Sequence, residues 1–230
     1  MYLFSKKGAF HQATGSACQD VIKSADFGSW LIIAMADGVS SEEYSGSGAN
    51  LACSEALDYL RLQHEKIGFL PQSWSQNMLN HITSVITEHA TANNRKATDY
   101  ACTLMVLVFE RERKIMHCFN IGDGLLLGIG DDNKCRVLVK PQDDSLGCPT
   151  IFTENIKTAI DLKHFCTSNI ESLLLCTDGA WKSMYKRGIM DAGIKHDLMT
   201  RDFCGFINHM KKIEPQDDCT FAILETGRAA

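Results

Sequence analysis

The chain predicts an α+β fold with antiparallel strand pairing, on three observations. Strand-like apolar runs follow one another instead of alternating with helices, the helix-spaced residues are gathered into long segments, and the links between neighbouring strands are short and polar, as in "ERERK" and "GDDNK". With 230 residues and no low-complexity linker or internal repeat, one domain spanning 1–230 is expected.

The first strand is Trp30–Ala36, aromatic and branched aliphatic throughout. Two helical segments come next: Ala49, Ala52, Cys53, Ala56, Leu57 and Leu60 recur at three and four residues, then Met78, Ile82, Val85 and Ile86. "SGSGANLA" opens the first of them, with Ser45 or Ser47 expected as its cap, and it lacks the Gly-Lys-Ser/Thr ending of a phosphate loop. Strands are expected at Cys102–Phe109, Ile115–Ile121, Leu125–Ile129 and Ser172–Cys176. Phe203, Phe206, Ile207 and Met210 mark a further helix, and Thr220–Leu224 a last strand; residues 186–202 carry no readable period.

Composition excludes several classes. A net charge of −5 and basic residues in pairs give no footprint for nucleic acid. Apolar runs reach about six residues, far short of the roughly 20 that span a bilayer, so no membrane association is expected and the cytoplasm is the expected location. The 10 cysteines are scattered, partly inside apolar runs, without a C-x-x-C or C-x₅-R pattern, and read as reduced core thiols. The 8 histidines show no zinc spacing, so any metal must be held by oxygen.

Three apolar runs end in Asp-Gly: Asp37-Gly38, Asp123-Gly124 and Asp178-Gly179. Each alone has an ordinary explanation as a helix cap or turn. Together they put acids on the ends of strands that share a rim, and "PQDDCTF" adds Asp217 and Asp218 while "ACQDV" adds Asp20. Carboxylates held close repel and take up protons unless a cation offsets them. Mg²⁺ and Mn²⁺ favour such oxygen ligands, and the anion such a site would attract is phosphate. Glu42 and Glu43 are read as solvated loop charges, Asp143 and Asp144 as turn acids, Trp181 as packed on the sheet.

In order along the chain, "GAFHQATGSACQD", "ADGVSSEEYSGSGANLA", "ACTLMVLVF", "IGDG", "CPTIFTEN", "LLLCTDG" and "DDCT" resemble the metal-dependent protein phosphatases of the PP2C family, bacterial branch, across residues 8–223. The resemblance implies a four-layer α-β-β-α sandwich, two central antiparallel sheets flanked by helices. It also implies a serine/threonine phosphatase in which water activated by two divalent ions, Mn²⁺ or Mg²⁺, attacks phosphorus directly. Asp37 would bridge the metals with the Gly38 carbonyl on one of them, Asp178 and Asp217 would hold the other, and Asp20 would orient coordinated water. Asp123 matches a third-metal position. Asp37, Asp178, Asp217 and His11 would carry catalysis, with His11 either an acid or a tie for the N-terminal segment. The implied partners are phosphoproteins, with a Ser/Thr kinase as antagonist, acting on a monomer.

The chain departs from the family pattern at Gly15, where some relatives have a phosphate-binding Arg, at Cys18-Gln19 in place of Asn-Glu, and at Lys182 in place of an acid, so a third metal is expected to be weak or absent. A non-catalytic phosphoprotein-binding domain of the same fold is the alternative. A haloacid-dehalogenase-type phosphatase is excluded, since "MADGVS" lacks the second Asp.

Overall fold

In a computed structural model, residues 1–142, 147–154 and 156–226 are described; Asp143 and Asp144 lie outside them. In chain order the elements begin with β1 (Tyr2–Lys6), α1 (Ala9–Thr14), β2 (Val21–Asp26), β3 (Trp30–Ala36), α2 (Ser45–Ile67) and α3 (Trp74–Ala92). After a 3₁₀ turn at Ala97–Tyr100 come β4 (Leu104–Glu110), β5 (Ile115–Ile121), β6 (Leu125–Gly130), β7 (Cys135–Val139), α4 (Ile156–Ala159) and β8 (Asp161–Cys166). The chain closes with β9 (Ile170–Cys176), α5 (Asp178–Met184), β10 (Tyr185–Lys186), β11 (Ile189–Met190), α6 (Ala192–Thr200), α7 (Phe203–Lys212) and β12 (Cys219–Glu225).

The chain forms two compact units, each assembled from separate stretches of sequence. One comprises Met1–Cys18, Gly124–Pro141 and the chain from Thr167 on; the other comprises Gln19–Asp123 and Gln142–Cys166. The first holds a sheet of order β1-β12-β9-β6-β7, the second a sheet of order β2-β3-β4-β5-β8, both antiparallel throughout.

In the second unit β2 to β5 follow one another as a meander. The hairpin between β4 and β5 turns through Lys114 in the left-handed region (φ 51°). Trp30, Ile32, Ala34 and Ala36 on one face of β3 join Ala49, Ala52, Ala56, Met78 and Ile82 from α2 and α3 in one core. Leu31, Ile33 and Met35 on the other face are buried as well, which is why this strand reads as an unbroken apolar run and not as an alternation.

In the first unit Leu125, Leu127, Leu174, Cys176, Phe221 and Ile223 meet Ala180, Met184, Ile194, Leu198 and Phe206 of the three helices beside them. Strand order here defies sequence order: β1, at the start of the chain, pairs with β12 at its end, Phe4 opposite Phe221. Residues 186–202 hold β11 and α6, whose N-terminus is capped by Asp191 through Gly193 N–H at 3.0 Å.

Two sequence expectations change. The start of α2 has no side-chain cap from Ser45 or Ser47; Tyr44 precedes it, and Ser45 Oγ instead donates to the Glu42 carbonyl at 3.0 Å. The edge strands β1, β2, β7 and β8 add to the expected six, because their half-exposed residues do not make an apolar run. Cys102, Cys118 and Cys176 are buried, and burial is the chief cause that pushes up the thiol pKa of Cys102 and Cys176.

Candidate active site

The second unit brings Asp20, Asp37 and Asp123 to one end of its sheet. Val21 pairs with Ala36, so Asp20 and Asp37 are the next residues outward on adjacent strands, and the Gly38 N–H donates to the Gln19 carbonyl across that gap at 3.3 Å. Asp37 is held by its backbone from both directions: its N–H donates to Thr103 Oγ1 (3.0 Å) and its carbonyl accepts from the Thr103 N–H (2.8 Å). Thr103 leads into β4 and touches Gly122, which sits at φ 116° just past β5, so Asp123 is carried to the same sheet end. Asp20 and Asp123 are both buried.

Gly38 has a second task. A Cβ there would lie 2.8 Å from the Ser45 carbonyl carbon, so the residue after Asp37 must be small for α2 to start where it does.

In the first unit Asp178 and Asp217 line one cavity of about 440 Å³ together with Lys182, Ser183, Tyr185 and Glu214. Both acids sit at the same end of the sheet, because β9 and β12 are antiparallel and Cys176, which closes β9 just before Asp178, pairs with Phe221, shortly after Asp217. Asp178 is the first residue of α5, yet its side chain does not cap the helix. Its Oδ2 receives Lys182 Nζ at 2.7 Å, one helical turn away. Its Oδ1 is buried and accepts no hydrogen bond among the described residues. A buried oxygen left in that state costs free energy, on the order of 1–3 kcal/mol, unless a ligand fills it.

Asp217 is under strain of another kind. Burial raises its pKa above the usual carboxylate value, Asp178 and Asp218 add repulsion, and only the Asp218 N–H, donating to Asp217 Oδ1 at 2.8 Å, pulls the other way among its near neighbours apart from His11. A group pushed toward protonation by neighbouring acids is one a cation would relieve.

Asp218, beside it, is already committed. Its Oδ1 accepts the Gly8 N–H at 2.8 Å and its Oδ2 lies 2.9 Å from His11 Nδ1, within ion-pair distance, with both side chains almost fully buried. The first N–H groups of α1 donate to the Pro215 and Gln216 carbonyls at 2.9 and 3.0 Å. His11 therefore stands behind the 215–218 segment and not in the cavity lining.

The segment is also clamped between two glycines. A Cβ on Gly8 would lie 2.3 Å from the Asp217 carbonyl carbon, and one on Gly179 would lie 2.1 Å from the Asp218 carbonyl oxygen. The Gly of the "TDG" ending is thus required by the close approach of the "DDCT" backbone, a reason sequence alone does not reveal.

Among the described residues no three His, Cys, Asp or Glu side chains are grouped closely enough to form a metal-holding set. The acids nevertheless suit a hard divalent cation: the donor atoms are all oxygen, Asp178 keeps an unfilled buried one, and Asp217 is crowded by like charge. The residues that would hold such ions are Asp178 and Asp217 in the first unit, and Asp37, with the Gly38 carbonyl, in the second.

A family model described as Protein phosphatase 2C matches residues 7–214. The chain belongs to the protein phosphatase 2C family. A curated member, Serine/threonine-protein phosphatase 3 of Escherichia coli (strain K12), is 29% identical over 127 residues, which cover 52% of this chain and 49% of that protein. The chain therefore spans about half the length of the curated phosphatase it matches. Among solved structures, a bacterial serine phosphatase superposes with a TM-score of 0.73 at 13% identity, covering 100% of this chain and 98% of the other. The serine/threonine phosphatase Stp1 of Staphylococcus aureus gives 0.66 at 15% identity, over 99% and 94%. At these identities the two structures establish the shared fold, the protein phosphatase 2C α+β sandwich.

Proposed function

We propose that this protein phosphatase 2C chain is a Mg²⁺- or Mn²⁺-dependent phosphatase acting on phosphoserine and phosphothreonine in proteins, with residues 1–230 working as one catalytic domain. The observation that carries the reading is the pairing of Asp178, with its unfilled buried oxygen, and Asp217, held against repulsion, in one cavity. A domain that only bound partners would gain nothing from such crowding.

Divalent cations held there supply Lewis acidity toward water and phosphoryl oxygen. Asp178 and Asp217 would hold one cation, Asp37 and the Gly38 carbonyl would bring in the second, and Asp20, next to Asp37 across the strand pair, would orient water. His11 acts as a positioning residue through Asp218, fixing the segment that carries Asp217. Lys182, ion-paired with Asp178, disfavours a third cation. Phosphoproteins are the substrates, a Ser/Thr kinase the antagonist, and the monomer the working form.

The test is hydrolysis of p-nitrophenyl phosphate and of phosphoserine, phosphothreonine and phosphotyrosine peptides with Mn²⁺. Metal-dependent turnover lost in Asp37→Asn and Asp178→Asn is expected; no turnover with any divalent ion would overturn the reading. The second reading, a phosphoprotein-binding domain without turnover, draws on the Lys182–Asp178 ion pair and the absence of a three-ligand group among the described residues.

A further inference from the structure

A second cavity, of about 560 Å³, opens beside the first on the same unit. Its walls are Leu125, Val137, Pro141 and Trp181, and Lys182 and Tyr185 line both cavities. Val137 is 48% exposed on the edge strand β7, an apolar side chain left in water. The β10–β11 hairpin, which turns through Arg187 and Gly188, both at positive φ, brings Gly188 into the lining and carries Ile189, 74% exposed, next to it in sequence. Lys140 and Lys182 stand among these apolar walls. No part of the proposed chemistry uses this cavity.

We propose that this cavity is the subsite for a bulky apolar side chain of the substrate phosphopeptide, a few residues from the phosphorylated one. The inference rests on the phosphatase reading for the identity of its occupant. Continuity limits the register: Lys182 and Tyr185 line both cavities, and an extended peptide advances roughly 3.3 Å per residue, so an occupant lies within about three positions of the phosphate. Charge fixes the class. Lys140 beside apolar walls, next to the cavity proposed for the phosphoryl group, suits a peptide that carries an anionic group and an aliphatic or aromatic neighbour, whereas a purely apolar partner would leave that ammonium to be desolvated. The volume falls within the roughly 300–1,000 Å³ of sites that enclose small ligands, so a Leu or Phe side chain fits with room for its flanking backbone.

The experiment measures dissociation constants by fluorescence anisotropy on the Mn²⁺-loaded full chain. The probes are labelled peptides bearing a non-hydrolysable phosphonate analogue of phosphoserine, with Leu scanned through the three positions on either side and Gly as reference. Leu at one position is expected to bind on the order of tenfold more tightly than Gly. Val137→Glu and Trp181→Ala should each bring that ratio close to one; because the ratio is taken within each variant, a general loss of affinity does not mimic the effect. Equal affinities at every position, or an advantage that survives both substitutions, would overturn the proposal. So would a Val137→Glu change in sedimentation without a change in the Leu-to-Gly ratio, since the cavity would then serve a second copy of the chain. Turnover of p-nitrophenyl phosphate, measured in parallel, separates the two claims. Turnover with equal peptide affinities removes the subsite alone, while a Leu preference without turnover removes the hydrolase and leaves the subsite.

Discussion

Two buried carboxylates, one in each unit, have opposite surroundings. Glu110, at the end of β4, uses both oxygens: Oε1 takes His117 Nε2 at 2.8 Å and Oε2 takes Arg113 Nη1 at 3.0 Å. Asp178, at the start of α5, uses Oδ2 on Lys182 and leaves Oδ1 buried without a hydrogen bond among the described residues. The first arrangement is closed and contributes to stability; the second is open and costs stability in the absence of a ligand. Burial alone therefore does not distinguish the two acids. What sets Asp178 apart is a buried oxygen that accepts no hydrogen bond among the described residues.

Substitution can break that contrast most sharply at Asp178. Asp178→Asn is expected to lower Mn²⁺-dependent turnover of p-nitrophenyl phosphate by about a thousandfold or more, since it removes a ligand charge, while the thermal midpoint of the metal-free protein does not fall. A variant that kept activity, or lost its fold, would erase the distinction. Glu110→Ala should do the reverse. It leaves His117 and Arg113 without their acceptor and should cost about 2–3 kcal/mol in denaturant unfolding, with kcat unaltered.

Lys182→Met gives a smaller effect. The lysine side chain is 53% exposed, so its hold on Asp178 is weakened by solvent, and its removal should tighten Mn²⁺ binding only severalfold in isothermal titration. Unchanged affinity would mean that the ammonium does not compete with the cation.

The smallest expected effect is on the closed side, in the pH dependence of stability. Burial lowers the pKa of His117 below its ordinary 6.5, outweighing the opposite pull of Glu110. Its Nδ1 also faces His164 Nδ1 at 2.7 Å, where one proton fits between the rings and two would collide. A lowered histidine pKa means that the contribution is complete above about pH 6.5 and is lost as pH falls through the folded-state value. The thermal midpoint should hold from pH 8 to pH 7 and drop by a few degrees, about 3 °C, by pH 5.5. His117→Gln should flatten that slope, and a slope unaffected by the substitution would assign it to other groups.

Much of this was legible in the sequence, unevenly. The six central strands announced themselves because Trp30–Ala36, Leu104–Glu110 and their neighbours are buried on both faces. Tyr2–Lys6 and Asp161–Cys166 did not, because an edge strand needs no apolar run. The acids were legible from three Asp-Gly endings, whose common cause is a strand end at a sheet rim. The two glycine contacts behind Asp217 were not, since a close backbone approach leaves no mark on the sequence beyond the glycine itself. Nor was the Asp218–His11 contact, which joins residues about as far apart as the chain allows. Lys182 was visible as a departure from the family pattern, but only the coordinates show it resting on Asp178.

The bond from the Gly8 N–H to Asp218 spans 210 positions along the chain. A contact of such separation closes a long loop, so β1 and α1 find their partner strand only after the residues between have been ordered or made. The setting of Asp217 is consequently a late event in folding, however early the strands that precede it pair.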